Sequence, residues 1–232
     1  MSVPLFVVTP TGGRHQGLRL LARYIEEQAY REPLTWLICD DVNPATPVPV
    51  MRDGITVESI RPAWRWHPGD NTQARNMTAL LERVPGGAIV IVAEDDDVYL
   101  PQHFGTMLAA LDTAELAGQR VSLYYNVETR KYRGMPGSVH ASLGATALRG
   151  SAIGLLRHVC AAGSCYIDLD LWRGFRGQKM LLESRTVVGI KGLPGRSGIG
   201  VGHRKSFGTP DNDGHVLRHW IGEERARQYL SC

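Results

Sequence analysis

The 232-residue chain has no apolar run longer than the six residues Ala88–Ala93. A bilayer span needs roughly 20, so no membrane helix is expected. Met1–Pro10 has neither a basic leading stretch nor a long apolar one. It reads as a first strand rather than a secretion signal, and the cytoplasm is the expected compartment. Cysteine is scarce: Cys39, Cys160, Cys165 and Cys232, with no CxxC pair. That excludes a disulfide scaffold and a thiolate zinc site and leaves free, reduced thiols. There is no internal repeat, no low-complexity tract and no Pro/Gly/Ser-rich linker. One domain over 1–232 is therefore expected. Both nucleotide fingerprints are missing too. Gly202 is followed by His203-Arg204 before Lys205-Ser206, which breaks a Walker A loop. The late glycines read GxGxG, not a GxGxxG that opens a helix.

What is present is an ordinary globular composition, 43% hydrophobic and 21% charged, enough apolar residues to exclude disorder as the main state. The net charge of +3 conceals two unlike halves. Residues 1–119 carry 9 Lys/Arg against 15 Asp/Glu, a net −6, and residues 120–232 carry 17 against 8, a net +9. The acidic half suits a cation and the basic half suits phosphates.

The first half alternates strand and helix patterns. Apolar β-rich runs at Leu5–Thr9, Leu34–Cys39 and Ala88–Ala93 predict strands, and the alternation of Ile55, Val57 and Ser59 predicts a weaker one at Gly54–Ile60. Between them, Leu18, Leu21 and Ile25 share one helical face, as do Met77, Leu80, Leu81 and Val84 on a helix opened by Asn71. A third helix follows Pro101. This is the pattern of an α/β protein with a mainly parallel sheet flanked by helices. The second half is less regular, with strands at Val121–Val127, Ser142–Leu148 and Arg185–Lys191. Helices are expected near Ser151–Cys160, at Asp168–Phe175 and as one closing helix at Gly214–Tyr229. Ligands of such sheets bind beyond the carboxyl ends of the strands. That rule singles out Thr9–Arg14, Asp40-Asp41 and Glu94–Asp97.

Glu94-Asp95-Asp96-Asp97 is the sharpest signal. Adjacent carboxylates repel, and ending a buried strand with four of them is unfavourable unless a cation sits among them. Hard oxygen ligands suit Mg²⁺ or Mn²⁺. In extended backbone Asp95 would converge with Asp97, or Glu94 with Asp96. The bland alternative is an acidic helix-entry turn. Arg14, Gln73, Arg75 and Asn76 are candidate phosphate ligands at the same edge. The loop 192–202 holds five glycines in eleven residues, which lets backbone approach a ligand and suits a mobile lid. His203 follows it as a candidate metal ligand. Asp168 and Asp170 offer a general base, although the residues alone favour Asp168 as a helix cap.

Taken in order, Val7-Val8-Thr9-Pro10-Thr11, Ile38–Asp41, Asn71–Asn76, Val92–Pro101, Asp168–Arg173 and His203 resemble the GT-A glycosyltransferases of the family-2 type. The resemblance implies a metal-dependent transfer of a sugar from a nucleotide-diphospho-sugar, a UDP-sugar foremost, to an acceptor hydroxyl. It implies that Thr9, Thr11 and Arg14 line the nucleotide pocket, that Asp41 reads the base, and that Arg75 contacts base or diphosphate. Asp95 would lie near the ribose. Asp96, with Asp97 and His203, would hold Mn²⁺ or Mg²⁺, and Asp168 would be the base of an inverting displacement. Residues 1–119 would form the nucleotide-sugar half and 120–232 the acceptor half. The segments Gly189–Arg196, Gly202–Arg204 and Leu217–Tyr229 also look like small bacteriophage glycosyltransferases, which would make DNA with hydroxymethylated bases a fitting acceptor. No protein partner is implied. Two other classes compete: a nucleotidyltransferase, for which only Gly12-Gly13-Arg14 offers the usual glycine-rich basic loop, and a nucleic-acid-binding module built on the basic half.

Overall fold

The computed structural model describes residues 3–42, 46–47, 49–67, 70–135, 139–196 and 208–230. In chain order the elements are β1 (Leu5–Thr11), α1 (His15–Glu26), β2 (Leu34–Asp40), β3 (Ile55–Ile60), α2 (Gln73–Glu82), β4 (Ile89–Val92), β5 (Asp97–Tyr99) and α3 (His103–Leu111). Then come β6 (Leu116–Gln119), β7 (Ser122–Asn126), β8 (Lys131–Met135), β9 (Thr146–Arg149), α4 (Ser151–Ala161), α5 (Ile167–Gly174) and β10 (Lys179–Leu182). The last are β11 (Val187–Lys191), β12 (Thr209–Pro210), α6 (His215–Ile221) and α7 (Glu223–Leu230).

Seven strands form the main sheet in the order β10-β6-β9-β4-β1-β2-β3. All run parallel except β9, which is antiparallel to both β4 and β6. Helices cover both faces, and strand alternation divides the core accordingly. Val7, Trp36, Ile38 and Ile91 face α1 and α3, whereas Val8, Leu37, Cys39, Val90 and Val92 face α2, α4 and α5. Register decides where the site falls. Thr11 lies opposite Asp40, and Val8 opposite Val92. The three polar segments that follow β1, β2 and β4 therefore emerge side by side.

A second sheet, β12-β8-β7-β11-β5, begins where the first stops. The chain leaves β4, turns at Ala93–Asp96 and enters β5, which pairs antiparallel with β11 so that Asp97 faces Gly189. The acidic run is thus the hinge between two sheets. It is a turn, not the extended segment expected; of the two alternate-residue pairings, Glu94 with Asp96 is the one seen, and Asp97 joins it.

Other boundaries also differ from expectation. The helix expected from Asn71 begins at Gln73, and the helix after Pro101 begins at His103. Residues 142–148 split into a short 3₁₀ turn, Leu143–Ala145, and β9. The closing helix is two helices, because Gly222 takes φ +85°, outside helical space. The second, α7, packs back on α1 through a Tyr24–Tyr229 hydroxyl bond of 2.8 Å. No helix among the described residues is long and apolar enough to cross a membrane.

Candidate functional site

The acidic turn is held from three sides. On the β1 side, Thr11 Oγ1 donates to Asp95 Oδ2 at 2.5 Å, and Arg14 Nη1 donates to Asp95 Oδ1 at 2.6 Å and lies 3.3 Å from Asp96 Oδ2. On the β11 side, the Ile190 amide donates to the Asp96 carbonyl at 2.6 Å. That bond, with the Gly189–Asp97 pairing, carries Lys191 into the turn. Its Nζ lies 2.8 Å from Asp96 Oδ2 and 3.5 Å from Asp97 Oδ1, and 5.7 Å from the centre of the Tyr124 ring. From below, Tyr99 Oη accepts the Glu94 amide at 2.8 Å and donates to the Gly144 carbonyl at 2.9 Å. Gln73 Nε2 donates to Glu94.

Asp95, Asp96 and Asp97 are all buried. One oxygen each from Glu94, Asp96 and Asp97 lies within 4.8 Å of the others. Burial pushes the Glu94 carboxyl up to about 8, and the charges of Asp97 and Asp96 add to the shift. Burial likewise raises Asp97 to about 6, against the pull of Lys191. Asp95 is raised by burial and lowered again in part by Arg14. Burial opposes the Lys191 ammonium, yet Asp96 and Asp97 outweigh it and hold it charged. Crowded carboxylates that resist ionisation would gain from a divalent cation, which is the reverse of a solvated acidic turn.

A second group gathers around Asp41. Its side chain is fully buried, and Oδ2 accepts from Thr72 Oγ1 and from Asn76 Nδ2 at 3.1 Å. Asn76 also donates to the Thr11 carbonyl at 3.2 Å and accepts from Trp64 Nε1 at 3.1 Å. Arg196 reaches in from the start of the glycine-rich segment, with Nη1 3.0 Å from Asp41 Oδ1. Its guanidinium lies 5.2 Å from the centre of the Trp66 ring. Arg14 joins the two groups, because its Nε donates to the Arg196 carbonyl at 2.7 Å while its Nη1 holds Asp95.

Asp168 stands apart on α5. It is the helix's second residue and not its cap, since Tyr166 occupies that position without capping through its side chain. The capping role favoured by the residues alone is therefore not the one seen. The carboxylate is about a third exposed, its Oδ2 lies 3.8 Å from His140 Nε2, and its charge is close enough to raise Glu94.

No family model matches the sequence, and no curated protein does. Solved structures do match the fold. S. aureus TarS 1–349 in complex with UDP-GlcNAc aligns with a TM-score of 0.58 at 13% identity, over 98% of this chain and 70% of that one. S. aureus TarS 1–349 on its own gives 0.57 at 11% identity over 81% of this chain. The mannosyltransferase PcManGT from Pyrobaculum calidifontis, in complex with GDP-Man and Mn²⁺, gives 0.50 at 12% identity over 84%. The chain spans 60 to 70% of the length of TarS 1–349 and 37% of the longer TarS structure. The fold is that of the GT-A glycosyltransferases.

Within that fold the residues singled out from sequence fall into three sets. Thr11, Arg14, Asp41, Asp95, Asp96 and Asp97 converge. Thr9 does not offer itself to a ligand, because it is fully buried and its hydroxyl accepts from Trp36 Nε1 at 2.9 Å. Arg75 is exposed on the first turn of α2, with no ion pair or hydrogen bond among the described residues. His203 lies outside the described residues, as does most of the 192–202 loop. Two residues not singled out are central: Lys191 and Arg196. Glu94, rather than Asp95, joins Asp96 and Asp97 in the group able to share one ion. Hard carboxylate oxygens at this spacing fit Mg²⁺ or Mn²⁺ and do not fit a soft metal.

Proposed function

We propose that the chain is a glycosyltransferase that moves a sugar from a nucleotide-diphospho-sugar, a UDP-sugar foremost, to an acceptor hydroxyl. One observation carries this reading: three crowded carboxylates able to share an ion, flanked by Arg14, sit at the carboxyl edge of a GT-A sheet beside the buried Asp41. The complexes of TarS with UDP-GlcNAc and of PcManGT with GDP-Man and Mn²⁺ support a donor of this class and a divalent cation.

Asp96 and Asp97, with Glu94, would hold Mn²⁺ or Mg²⁺, and His203 is proposed to complete the set. The ion would neutralise the diphosphate as it leaves. Arg14 sits between Asp95 and the Asp41 pocket, where a diphosphate would bridge metal and base. Asp95, fixed by Thr11 and Arg14, would face the ribose. Exposed Arg75 is able to swing onto base or phosphate. Asp168 would take the proton of the acceptor hydroxyl, oriented from the side of His140. In this reading residues 1–119 bind the donor and 120–232 the acceptor. The net +9 of the second half favours a polyanionic acceptor, such as DNA with hydroxymethylated bases, bound with a steep salt dependence.

Asp96→Asn tests the site. Wild type should be stabilised against heat by UDP or GDP only when Mn²⁺ is present, by about 2.7 kcal/mol at a hundredfold excess over Kd. Asp96→Asn should keep its circular dichroism and lose that stabilisation. Equal nucleotide and Mn²⁺ affinity in the two proteins would remove the proposal. Asp168→Asn should still bind donor, with turnover down about 10²–10⁴-fold.

A further inference from the structure

Asp41 is a buried carboxylate with a lopsided environment. Oδ2 is crowded: it accepts from Thr72 Oγ1, from Asn76 Nδ2 at 3.1 Å, and from Arg196 Nη1 and Nη2 at 3.3 and 3.4 Å. Oδ1 has Arg196 Nη1 only 3.0 Å away but, among the described residues, no partner in hydrogen-bonding geometry. A carboxylate oxygen sealed from water without a hydrogen bond is costly. Arg196 therefore neutralises Asp41 without satisfying it.

The guanidinium is also held like a flat ring. It lies 5.2 Å from the centre of the Trp66 indole, and it lies close against Gly12, where an added Cβ would fall 1.9 Å from Arg196 Nη2. Gly195 takes φ +116°, and a Cβ added there would fall 3.2 Å from the Gly13 carbonyl oxygen. The place the guanidinium takes, beside a glycine and an indole with a carboxylate at its end, has the polarity to take a nucleobase.

We infer that Arg196 is an internal placeholder in the nucleobase slot, and that the donor's base must displace it to bind. This rests on the donor-site reading proposed above. The base that replaces it carries a ring N–H, which Asp41 Oδ1 lacks as a partner. Guanine and uracil have one. Adenine and cytosine present a ring nitrogen acceptor at that edge, which a carboxylate repels. Arg196 thus sets donor affinity by competition and does not hold the bound nucleotide.

Calorimetric titration of UDP, GDP, ADP and CDP, each with Mn²⁺, into wild type and Arg196→Ala tests this, with uridine and guanosine as phosphate-free probes. The nucleosides separate the base slot from any general loss of positive charge. Arg196→Ala should bind UDP or GDP, and the matching nucleoside, roughly tenfold tighter, the factor expected if the slot stands open in about one wild-type molecule in ten. Arg196→Lys, which keeps the charge but cannot lie flat, should move the same way. Unchanged or weaker nucleoside binding by Arg196→Ala would overturn the inference and make Arg196 part of the binding surface. Preference of both proteins for ADP or CDP would overturn it as well. If neither protein binds any of the four diphosphates, the donor-site reading itself falls, and the inference with it.

Discussion

Lys191 carries its ammonium into a place where three carboxylates crowd one another, and its removal should be felt in two ways. Breaking a buried ion pair by taking one partner away costs about 3–5 kcal/mol. Lys191→Met, which keeps the length of the stem, should therefore lose about that much stability in urea unfolding without metal. Because the methionine takes the Lys191 ammonium from Asp97 and leaves Asp96 with Arg14 alone, added Mn²⁺ should restore more stability to the variant than it adds to wild type. A variant as stable as wild type, or one indifferent to Mn²⁺, would show that the ammonium does not balance these carboxylates. The residue was half legible in the sequence. A lysine closing the apolar strand Arg185–Lys191 is unusual, but nothing local says that β11 returns beside the acidic run. The pairing of Gly189 with Asp97 joins residues 92 positions apart in the chain, and only tertiary structure supplies it. The acidic run, Arg14 and Asp41 were readable because each directly follows its strand. Arg196 was not, since its placement depends on how residues 192–196 fold back onto Gly12-Gly13.

Elements meet the acidic turn at positions with no room for a side chain. On α1, a Cβ at Gly17 would lie 2.4 Å from the Asp95 carbonyl oxygen. In the 3₁₀ turn, a Cβ at Gly144 would lie 2.4 Å from Asp97 Oδ2 and 3.0 Å from Glu94 Oε2. Gly17→Ala must move either the helix or the turn, and should cost about 1–3 kcal/mol as overpacking does, with weaker Mn²⁺ binding. Gly105→Ala, on the exposed side of α3 with nothing within 4 Å, should instead gain about 0.4–1 kcal/mol, because alanine loses less backbone entropy on folding. Urea titration of the pair separates close approach from helix propensity, and equal signs would contradict the packing. Strands β1, β2 and β4 were legible as apolar runs between turn residues, and β3 by the alternation of Ile55, Val57 and Ser59. Strands β5, β6, β8 and β10 were not. They are short, and β5 and β6 read as Asp97-Val98-Tyr99 and Leu116-Ala117-Gly118-Gln119, whose strand character comes from neighbouring strands rather than from propensity. The split of the last helix hung on Gly222 alone, which a helical apolar spacing runs straight through.

For the molecule as a whole, buried groups of opposite titration sense should shape stability against pH. Burial lowers His103 from 6.5 to about 3, with its Nδ1 on Thr186 Oγ1 at 2.8 Å. The unfolded chain therefore takes up a proton below pH 6.5 that the folded chain refuses until about 3, and stability falls as pH drops through that window. Glu94 and Asp97 behave the other way. Their folded values of about 8 and about 6 lie above the ordinary 4.5 and 3.8. The folded state keeps protons that the unfolded state has released, so stability falls as pH rises from about 4 to about 8 and levels off beyond. A divalent cation bound by these carboxylates holds them ionised, which abolishes their upward shift and with it the alkaline limb, but leaves His103 untouched. Thermal unfolding from pH 4 to 9, with and without Mg²⁺, should show metal raising the midpoint progressively more above pH 6 while the acid side stays fixed. A uniform upward shift across the whole range would mean that the ion binds elsewhere. An alkaline limb insensitive to Mg²⁺ would mean that the carboxylates of the turn are balanced by Arg14 and Lys191 alone.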